Sequence, residues 1–138
     1  MPAYWILKTE PSTYAFADLR REGRARWDGI ANAVALKHLR SMRRGDRALV
    51  YHTGEEKRLV GLATVASDPY PDPAGTDERA AVVDLEPDEP LARPVTLAEV
   101  KADPIFAELG LVRVPRLSVV PVPAPLWTRL LEMGGAAS

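Results

Sequence analysis

The chain has 138 residues, which fits one compact domain (residues 1–138) and leaves no room for separate cofactor and substrate lobes. It is 46% hydrophobic and 27% charged, as expected for a globular protein with a buried core, and it contains no cysteine. This excludes a disulfide scaffold, a thiolate zinc site and a cysteine nucleophile, while the net charge of −1 argues against a strongly basic nucleic-acid binder. Without a leader or an apolar stretch of about 18 residues, we expect a cytoplasmic protein with no membrane contact.

Hydrophobic periodicity and turn signals predict nine elements. In chain order they are a strand at 4–8, a short helix at 16–20, a main helix at 28–44, a hairpin of strands at 47–52 and 58–66, a strand at 80–85, a short helix at 97–101, a strand at 117–122 and a final helix at 125–133. Residues with capping chemistry precede three of the helices: Ser12 or Thr13, Asp28 or Asn32, and Thr96 with Glu99. Gly45 is the expected end of the main helix.

Short strands with few helices favour the α+β class, with a small mixed, curved or barrel-like sheet flanked by short helices. Two acidic segments that contain proline, 68–75 and 86–90, are predicted as loops because proline cannot donate to a β-ladder. One face of the main helix carries Lys37, Arg40 and Arg44, which form a basic stripe.

Enzyme signatures are missing from the sequence. There is no phosphate-binding glycine loop, no Gly-x-Ser-x-Gly elbow and no His-Glu-x-x-His, and two histidines are too few for a histidine-rich metal site. We therefore expect a protein that is not an enzyme and uses no cofactor or metal. Missing motifs do not exclude catalytic side chains that come together only in the folded protein. A hydrolase built on His52 with Asp28 or Glu10 is therefore kept as a weaker alternative.

Four segments combine a rigid or aromatic residue with polar groups at predicted strand ends or helix starts: 8–11, 27–32, 51–54 and 113–119. A helix beginning at Asp28-Gly29 would expose backbone N–H donors beside the flat face of Trp27, which suits a planar polar ligand such as a base. Structural interpretations stand beside this one: Trp27 as a core aromatic, Asp28 as a helix cap and His52 as a buried structural histidine.

In order along the chain, these segments resemble the EVE domain family. The shared motifs are Tyr4-Trp5-Ile6-Leu7-Lys8-Thr9-Glu10-Pro11, Trp27-Asp28-Gly29-Ile30-x-Asn32, Met42-x-x-Gly45-Asp46, Tyr51-His52-Thr53-Gly54, Val60-Gly61-Leu62-Ala63-x-Val65, Tyr70-Pro71-Asp72-Pro73, Arg93-Pro94-Val95-Thr96-Leu97 and Arg116-Leu117-Ser118-Val119. They span roughly residues 4 to 122. The resemblance implies a PUA-like fold related to the YTH readers, and a domain that binds modified DNA or RNA, notably modified cytosine, without catalysing a reaction.

Carried over by position, the resemblance implies two sets of site residues. The base pocket would contain Lys8, Thr9, Glu10, Trp27, Asp28, Asn32, Tyr51, His52, Thr53 and Ser118. The phosphates would be bound by Lys37, Arg40, Arg44, Arg113 and Arg116. The chain departs from the family pattern at Ala31 and at Leu36-Lys37, where the family has Arg and Arg-Asn.

The net charge of −1 is a cancellation between two stretches. Residues 20–47 hold nine basic and three acidic residues, a net charge of +6, while residues 68–90 hold one basic and eight acidic residues, a net charge of −7. We expect a basic face around the main helix, offset by an acidic loop region. A pocket for a free nucleoside-like or anionic metabolite is the alternative function, and a separate effector protein is the expected partner because the chain carries no effector motif.

Overall fold

The computed structural model describes residues 2–75 and 79–136. Its seven strands are β1 (Tyr4–Thr9), β2 (Ala25–Trp27), β3 (Arg47–His52), β4 (Arg58–Val65), β5 (Tyr70–Pro71), β6 (Ala81–Thr96) and β7 (Val119–Pro121). Its helices are α1 (Phe16–Glu22), α2 (Ala33–Ser41), α3 (Leu97–Ala102), a short 3-10 turn (Pro104–Phe106), α4 (Gly110–Arg113) and α5 (Ala124–Met133). The α+β class predicted from the sequence is confirmed.

The sheet is mixed and curled, with strands in the order β2-β6-β4-β3-β1-β7, and β5 pairs with β6 beside this path. Strands β1 and β3 are parallel, whereas β3 with β4, β4 with β6, β2 with β6 and β1 with β7 are antiparallel. The alternating apolar residues of these strands pack with α1, α2 and α5 around one core. The predicted hairpin is confirmed as β3 and β4.

Strand β6 is a correction to the sequence analysis. Its 16 residues include the segment 86–90 that the prolines predicted to be a loop. Pro87 and Pro90 are accommodated because the register between β4 and β6 shifts on either side of Gly61, so the ladder does not require every N–H. The same irregularities curl the sheet. Phe16 packs over Gly61, where an added Cβ would lie 2.4 Å from the Phe16 ring.

The main helix is also shorter than predicted. Gly29 adopts a left-handed φ of +79°, which interrupts any helix at Asp28, and α2 begins only after Asn32, whose side chain accepts from the N–H groups of Val34 and Ala35 at 3.0 Å. Arg44 and Gly45 lie beyond the last helical residue. The expected helix N-terminus beside Trp27 is therefore wrong, while Asn32 is confirmed as the cap.

Smaller differences concern α1 and the edges of the sheet. Ala15 precedes α1 in place of Ser12 or Thr13, and the Asp18 carboxylate accepts the Ala15 N–H at 2.8 Å. Strands β2 and β5 are too short to give a periodic signal, and β5 lies within the segment predicted as a loop. The capping box of α3, Thr96 with Glu99, and helix α5 are confirmed. None of the helices in the described ranges is long and apolar enough to cross a membrane.

Candidate functional site

A cavity of about 730 Å³ opens where β1 ends, beside β2 and the segment that follows β2. Five of the residues predicted to bind the base line it: Lys8, Thr9, Trp27, Asp28 and Ser118. They come from distant parts of the sequence, because β1 supplies the first two, β2 leads to the next two, and Ser118 precedes β7, which pairs with β1. The structure thus brings half of the predicted base-binding set into one open site.

The cavity has an aromatic wall made of Tyr14 and Trp27. Their ring centroids are 6.1 Å apart and the ring planes are nearly perpendicular, at 77°. Only 7% of Trp27 is exposed, so its indole contributes part of its surface rather than a free stacking face, and Tyr14 is the more accessible ring. Sequence reasoning missed Tyr14, although it is the one aromatic residue in the polar stretch after Pro11.

Several polar groups in the cavity are available to a ligand. Every fully buried side-chain nitrogen or oxygen in the described part of the chain has a hydrogen-bond partner. Trp27 Nε1 has no partner among those residues, so this nitrogen is not fully buried, and Trp27 lines the cavity. Among the same residues the Ser118 hydroxyl makes no hydrogen bond, and neither does the exposed Asp28 carboxylate, because Asn32 caps α2 instead.

Lys8 closes another side of the cavity. Its Nζ donates to the Pro115 carbonyl at 2.7 Å and lies 5.6 Å from the centre of the Tyr51 ring. Burial lowers the pKa of the Lys8 ammonium group. Tyr51 itself is buried beneath Lys8 and supports the site without lining it.

The backbone of the Tyr14 wall is held by β1 and the turn after it. Thr9 Oγ1 donates to the Tyr14 carbonyl at 2.7 Å, and the Tyr14 N–H donates to the Glu10 carbonyl at 2.8 Å. The Tyr14 hydroxyl donates to the Glu22 carboxylate at the end of α1. Burial and this carboxylate raise the pKa of the Tyr14 phenol, which keeps it a donor at neutral pH.

Glu10, Thr53 and Asn32 do not line the cavity. Glu10 accepts from the Ser12 N–H at 3.2 Å, and this bond is the main reason that its pKa is lowered, while Thr53 Oγ1 lies 3.3 Å from the same carboxylate. The Asn32 side chain is occupied as the cap of α2. These predicted ligand residues have structural partners instead.

His52 is buried and does not line the cavity. Its Nε2 accepts the Phe16 N–H at 3.0 Å, and its Nδ1 lies 2.9 Å from Glu56 Oε1. Neither Asp28 nor Glu10 is its partner, so the arrangement assumed for a hydrolase is absent from the described residues. The structural interpretation of His52 fits the geometry.

The five predicted phosphate-binding residues lie outside the cavity and differ in their surroundings. Arg113 is paired with the Glu108 carboxylate, whereas the Arg40 guanidinium donates to the carbonyl of Arg79. Lys37, Arg44 and Arg116 are exposed, and none of their side chains has an ion pair in the parts of the chain that the structure describes. Sequence reasoning missed Arg43, which lines a surface hollow of about 510 Å³ together with Arg40.

The two charged stretches meet in space at strands outside the main helix. Strands β2 and β6 place them side by side. The resulting ion pairs join Arg24 to Asp84 at 2.9 Å, Arg24 to Glu86 at 3.2 Å, Arg47 to Asp88 at 3.4 Å and Arg26 to Asp72 at 4.0 Å. Much of the positive charge beside the cavity is therefore neutralised within the chain.

The chain is similar to known proteins both in sequence and in structure. Mouse thymocyte nuclear protein 1 is 32% identical over 81 residues, 50% of this chain and 36% of that protein, so the chain spans about a third of the curated relatives it matches. The NMR structure of Rpa0253 from Rhodopseudomonas palustris is 43% identical, with a TM-score of 0.91 over 96% of this chain and 93% of that one.

Human THYN1 in complex with 5-methylcytosine-containing DNA is 22% identical, with a TM-score of 0.88 over 99% of both chains, which shows a common fold. This agreement confirms the PUA-like architecture predicted from the resemblance. The family model of the EVE domain matches residues 3–133. Because that match covers nearly the whole sequence, the chain belongs to the EVE domain family.

Proposed function

We propose that the chain is a binding domain for nucleic acid that carries a modified cytosine, and that the cavity beside β2 receives the base. The observation that carries the proposal is the combination, in one open cavity, of an aromatic wall with polar groups that lack partners among the described residues. Membership of the EVE family and the human THYN1 complex with 5-methylcytosine-containing DNA support the choice of ligand.

The cost of extruding a base has to be offset by contacts in the cavity. Extruding a base from a duplex costs a few kcal/mol, and contact with an aromatic side chain returns about 1–3 kcal/mol. Tyr14 and Trp27 supply this contact in the proposed complex. The remainder has to come from hydrogen bonds to the base and from contacts with the phosphates.

Cytosine presents an amino group and two acceptors on its Watson–Crick edge, and the cavity offers complementary groups. The Asp28 carboxylate suits the amino group, while the Trp27 N–H and the Ser118 hydroxyl suit the acceptors. Ile30, which also lines the cavity, offers an apolar contact for a methyl group on the ring. Such a contact discriminates one carbon by about 1–3 kcal/mol, so we expect a moderate preference for the modified base.

The phosphates are assigned to cations that have no carboxylate partner in the described parts of the chain. Arg40 and Arg43 donate to backbone carbonyls, and Lys37 and Arg116 are exposed. Arg44 also keeps its side-chain charge, because only its backbone N–H is bonded to Asp68. Arg113 is the weakest of the predicted contacts, since Glu108 must release it first.

The test is the binding of short oligonucleotides that contain cytosine, 5-methylcytosine or 5-hydroxymethylcytosine, as single and double strands of DNA and RNA, at low salt. We expect measurable affinity for DNA, a preference for a modified base, and a loss of about tenfold for Asp28→Ala, which removes a charge-assisted hydrogen bond. Glu89→Ala is the matched control, because Glu89 is an exposed carboxylate on β6 outside the cavity. Failure to bind any of these oligonucleotides would overturn the proposal.

The alternative function is binding of a free nucleoside-like or anionic metabolite in the same cavity. The salt dependence of the affinity distinguishes it from nucleic-acid binding. Phosphate contacts make affinity for an oligonucleotide fall steeply as salt rises, whereas a neutral nucleoside shows little dependence. Equal affinity for 5-methyldeoxycytidine and for the methylated oligonucleotide, both independent of salt, would favour the small molecule. A separate effector protein remains part of the proposal and is tested by copurification with and without methylated DNA.

A further inference from the structure

His52 connects two parts of the fold through both of its ring nitrogens. It is the last residue of β3 and is 7% exposed. Nε2 lies 3.0 Å from the Phe16 backbone nitrogen, which is a donor, so Nε2 must be the unprotonated acceptor. Nδ1 then carries the proton and donates to Glu56 at 2.9 Å. The geometry requires a neutral imidazole in one defined tautomer.

The residue held by His52 fixes the aromatic wall of the cavity. Phe16 is the first residue of α1, and its ring is seated against Gly61 of β4. Tyr14 lies two residues before it, and Glu22, which accepts from the Tyr14 hydroxyl, is the last residue of the same helix. A displacement of α1 would therefore move Glu22 directly and Tyr14 through its short connection to Phe16.

Adding a proton to Nε2 would point an N–H group at the Phe16 N–H, and that hydrogen bond would be lost. Of the charged groups near the ring, Glu56 in the β3–β4 turn contacts Nδ1, and Arg58 on β4, opposite His52, is paired with the same carboxylate. Glu10, in the turn after β1, interacts with Glu56, and Asp18 on α1 accepts the Ala15 N–H. Glu56 keeps its negative charge because the hydrogen bond from His52 lowers the pKa of that carboxyl, so it attracts the imidazolium without restoring the bond to Phe16.

We propose that His52 is a positioning residue that makes the cavity responsive to pH. When its imidazole is neutral, Nε2 accepts the Phe16 N–H and the Tyr14 ring of the aromatic wall stays hydrogen-bonded to Glu22. When the imidazole is protonated, the hydrogen bond to Phe16 is lost, the start of α1 moves and base binding weakens. The effect on binding rests on the proposed function, whereas the effect on the wall does not.

The chain contains two histidines, so His38 serves as a natural control. It lies on α2 and does not line the cavity. The variants are His52→Gln and His38→Gln. In His52→Gln the amide oxygen can accept the Phe16 N–H, but the amide gains no proton as the pH is lowered. NMR of the free protein follows the Phe16 amide, the Tyr14 ring and the His52 ring nitrogens as the pH is lowered until the His52 ring gains its second proton.

In the wild type and in His38→Gln we expect hydrogen exchange at the Phe16 amide, corrected for its intrinsic pH dependence, to accelerate about fivefold or more as His52 is protonated. His52→Gln should show no such step. The midpoint of the Phe16 change must coincide with that of the His52 ring nitrogens in the wild type, a measurement that does not depend on the variant folding. Affinity for a methylated oligonucleotide should fall in parallel.

The inference is overturned if the Phe16 amide keeps its protection throughout the His52 titration, or if folded His52→Gln retains the step. A protein that shows the Phe16 step but binds no oligonucleotide contradicts the proposed function and leaves the positioning role intact. A protein that binds the oligonucleotide without the step supports the proposed function and contradicts the positioning role.

Discussion

The fold contains two tryptophan–aspartate pairs that differ in how their polar groups are used. Trp5 and Asp46 meet across the core, and the indole N–H donates to the carboxylate at 3.0 Å. Trp27 and Asp28 are adjacent in sequence, and neither side chain makes a hydrogen bond within the described residues. Both tryptophans are buried, with 5% and 7% of their surface exposed, so burial alone does not distinguish them.

The difference arises from position in the sheet. Asp46 immediately precedes β3 and also accepts the backbone N–H groups of Ala3 at 3.0 Å and Arg43 at 2.9 Å. Asp28 follows β2, which among the described strands pairs with β6 alone and so leaves one edge open. The pair in the middle of the fold is satisfied by the chain, and the pair at the edge is available to a ligand.

The largest effect that tests this comparison is expected for Asp46→Ala. It leaves one buried and two part-buried N–H donors without their acceptor, which we expect to lower the free energy of unfolding by about 3 kcal/mol or more. Asp28→Ala, the matched substitution at the edge, should change it by less than about 0.5 kcal/mol. Urea unfolding measures both, and similar losses for the two variants would break the comparison.

A second substitution tests whether the core supports the cavity. In Gly61→Ala the new Cβ would lie 2.4 Å from the Phe16 ring, so Phe16 and the start of α1 have to move. We expect a loss of about 1–3 kcal/mol in the free energy of unfolding and a change in the Tyr14 ring signals. Unchanged stability would show that the Phe16 packing is dispensable.

The charged surface provides a third test, which acts on binding. The double variant Arg40→Gln with Arg43→Gln removes two charges whose partners, among the described residues, are backbone carbonyls. The slope of log affinity against log salt should become shallower by about 1 to 2, because each phosphate contact contributes about 0.9. Arg129→Gln, which removes a cation paired with Asp103 at 3.4 Å, is the control and should leave the slope unchanged.

The smallest effect concerns a cap far from the cavity. Thr96→Ala removes the side chain that accepts the Glu99 N–H at 3.1 Å, and we expect about 1 kcal/mol of destabilisation with unaltered oligonucleotide affinity. Thermal unfolding together with binding checks both halves of this expectation. A change in affinity would mean that the stability of α3 influences oligonucleotide binding.

Local signals were sufficient for the parts of the fold that local rules govern. The hairpin of β3 and β4, the cap at Asn32 and the box of Thr96 with Glu99 all follow from spacing and side-chain chemistry. Tertiary structure overrode those rules in β6, where Pro87 and Pro90 lie in a strand. The register shifts of β4 that permit this have no signature in the sequence of β6 itself.

Predicting the site was limited in a similar way. The motifs identified Lys8, Trp27 and Ser118, which the structure brings together. They could not show that His52 faces Phe16, because that contact depends on where α1 crosses the sheet. Nor could they show that the basic and acidic stretches neutralise each other, since this follows from the pairing of β2 with β6.

The most direct test of the account is a comparison of affinities for otherwise identical DNA containing cytosine or 5-methylcytosine, measured for the wild type, Asp28→Ala and Glu89→Ala. The account predicts tighter binding of the methylated DNA by the wild type, a loss of about tenfold in Asp28→Ala, and no change in Glu89→Ala. Equal affinity of the wild type for the two DNAs, together with an unaffected Asp28→Ala, would contradict the assignment of the cavity as a site for a modified base.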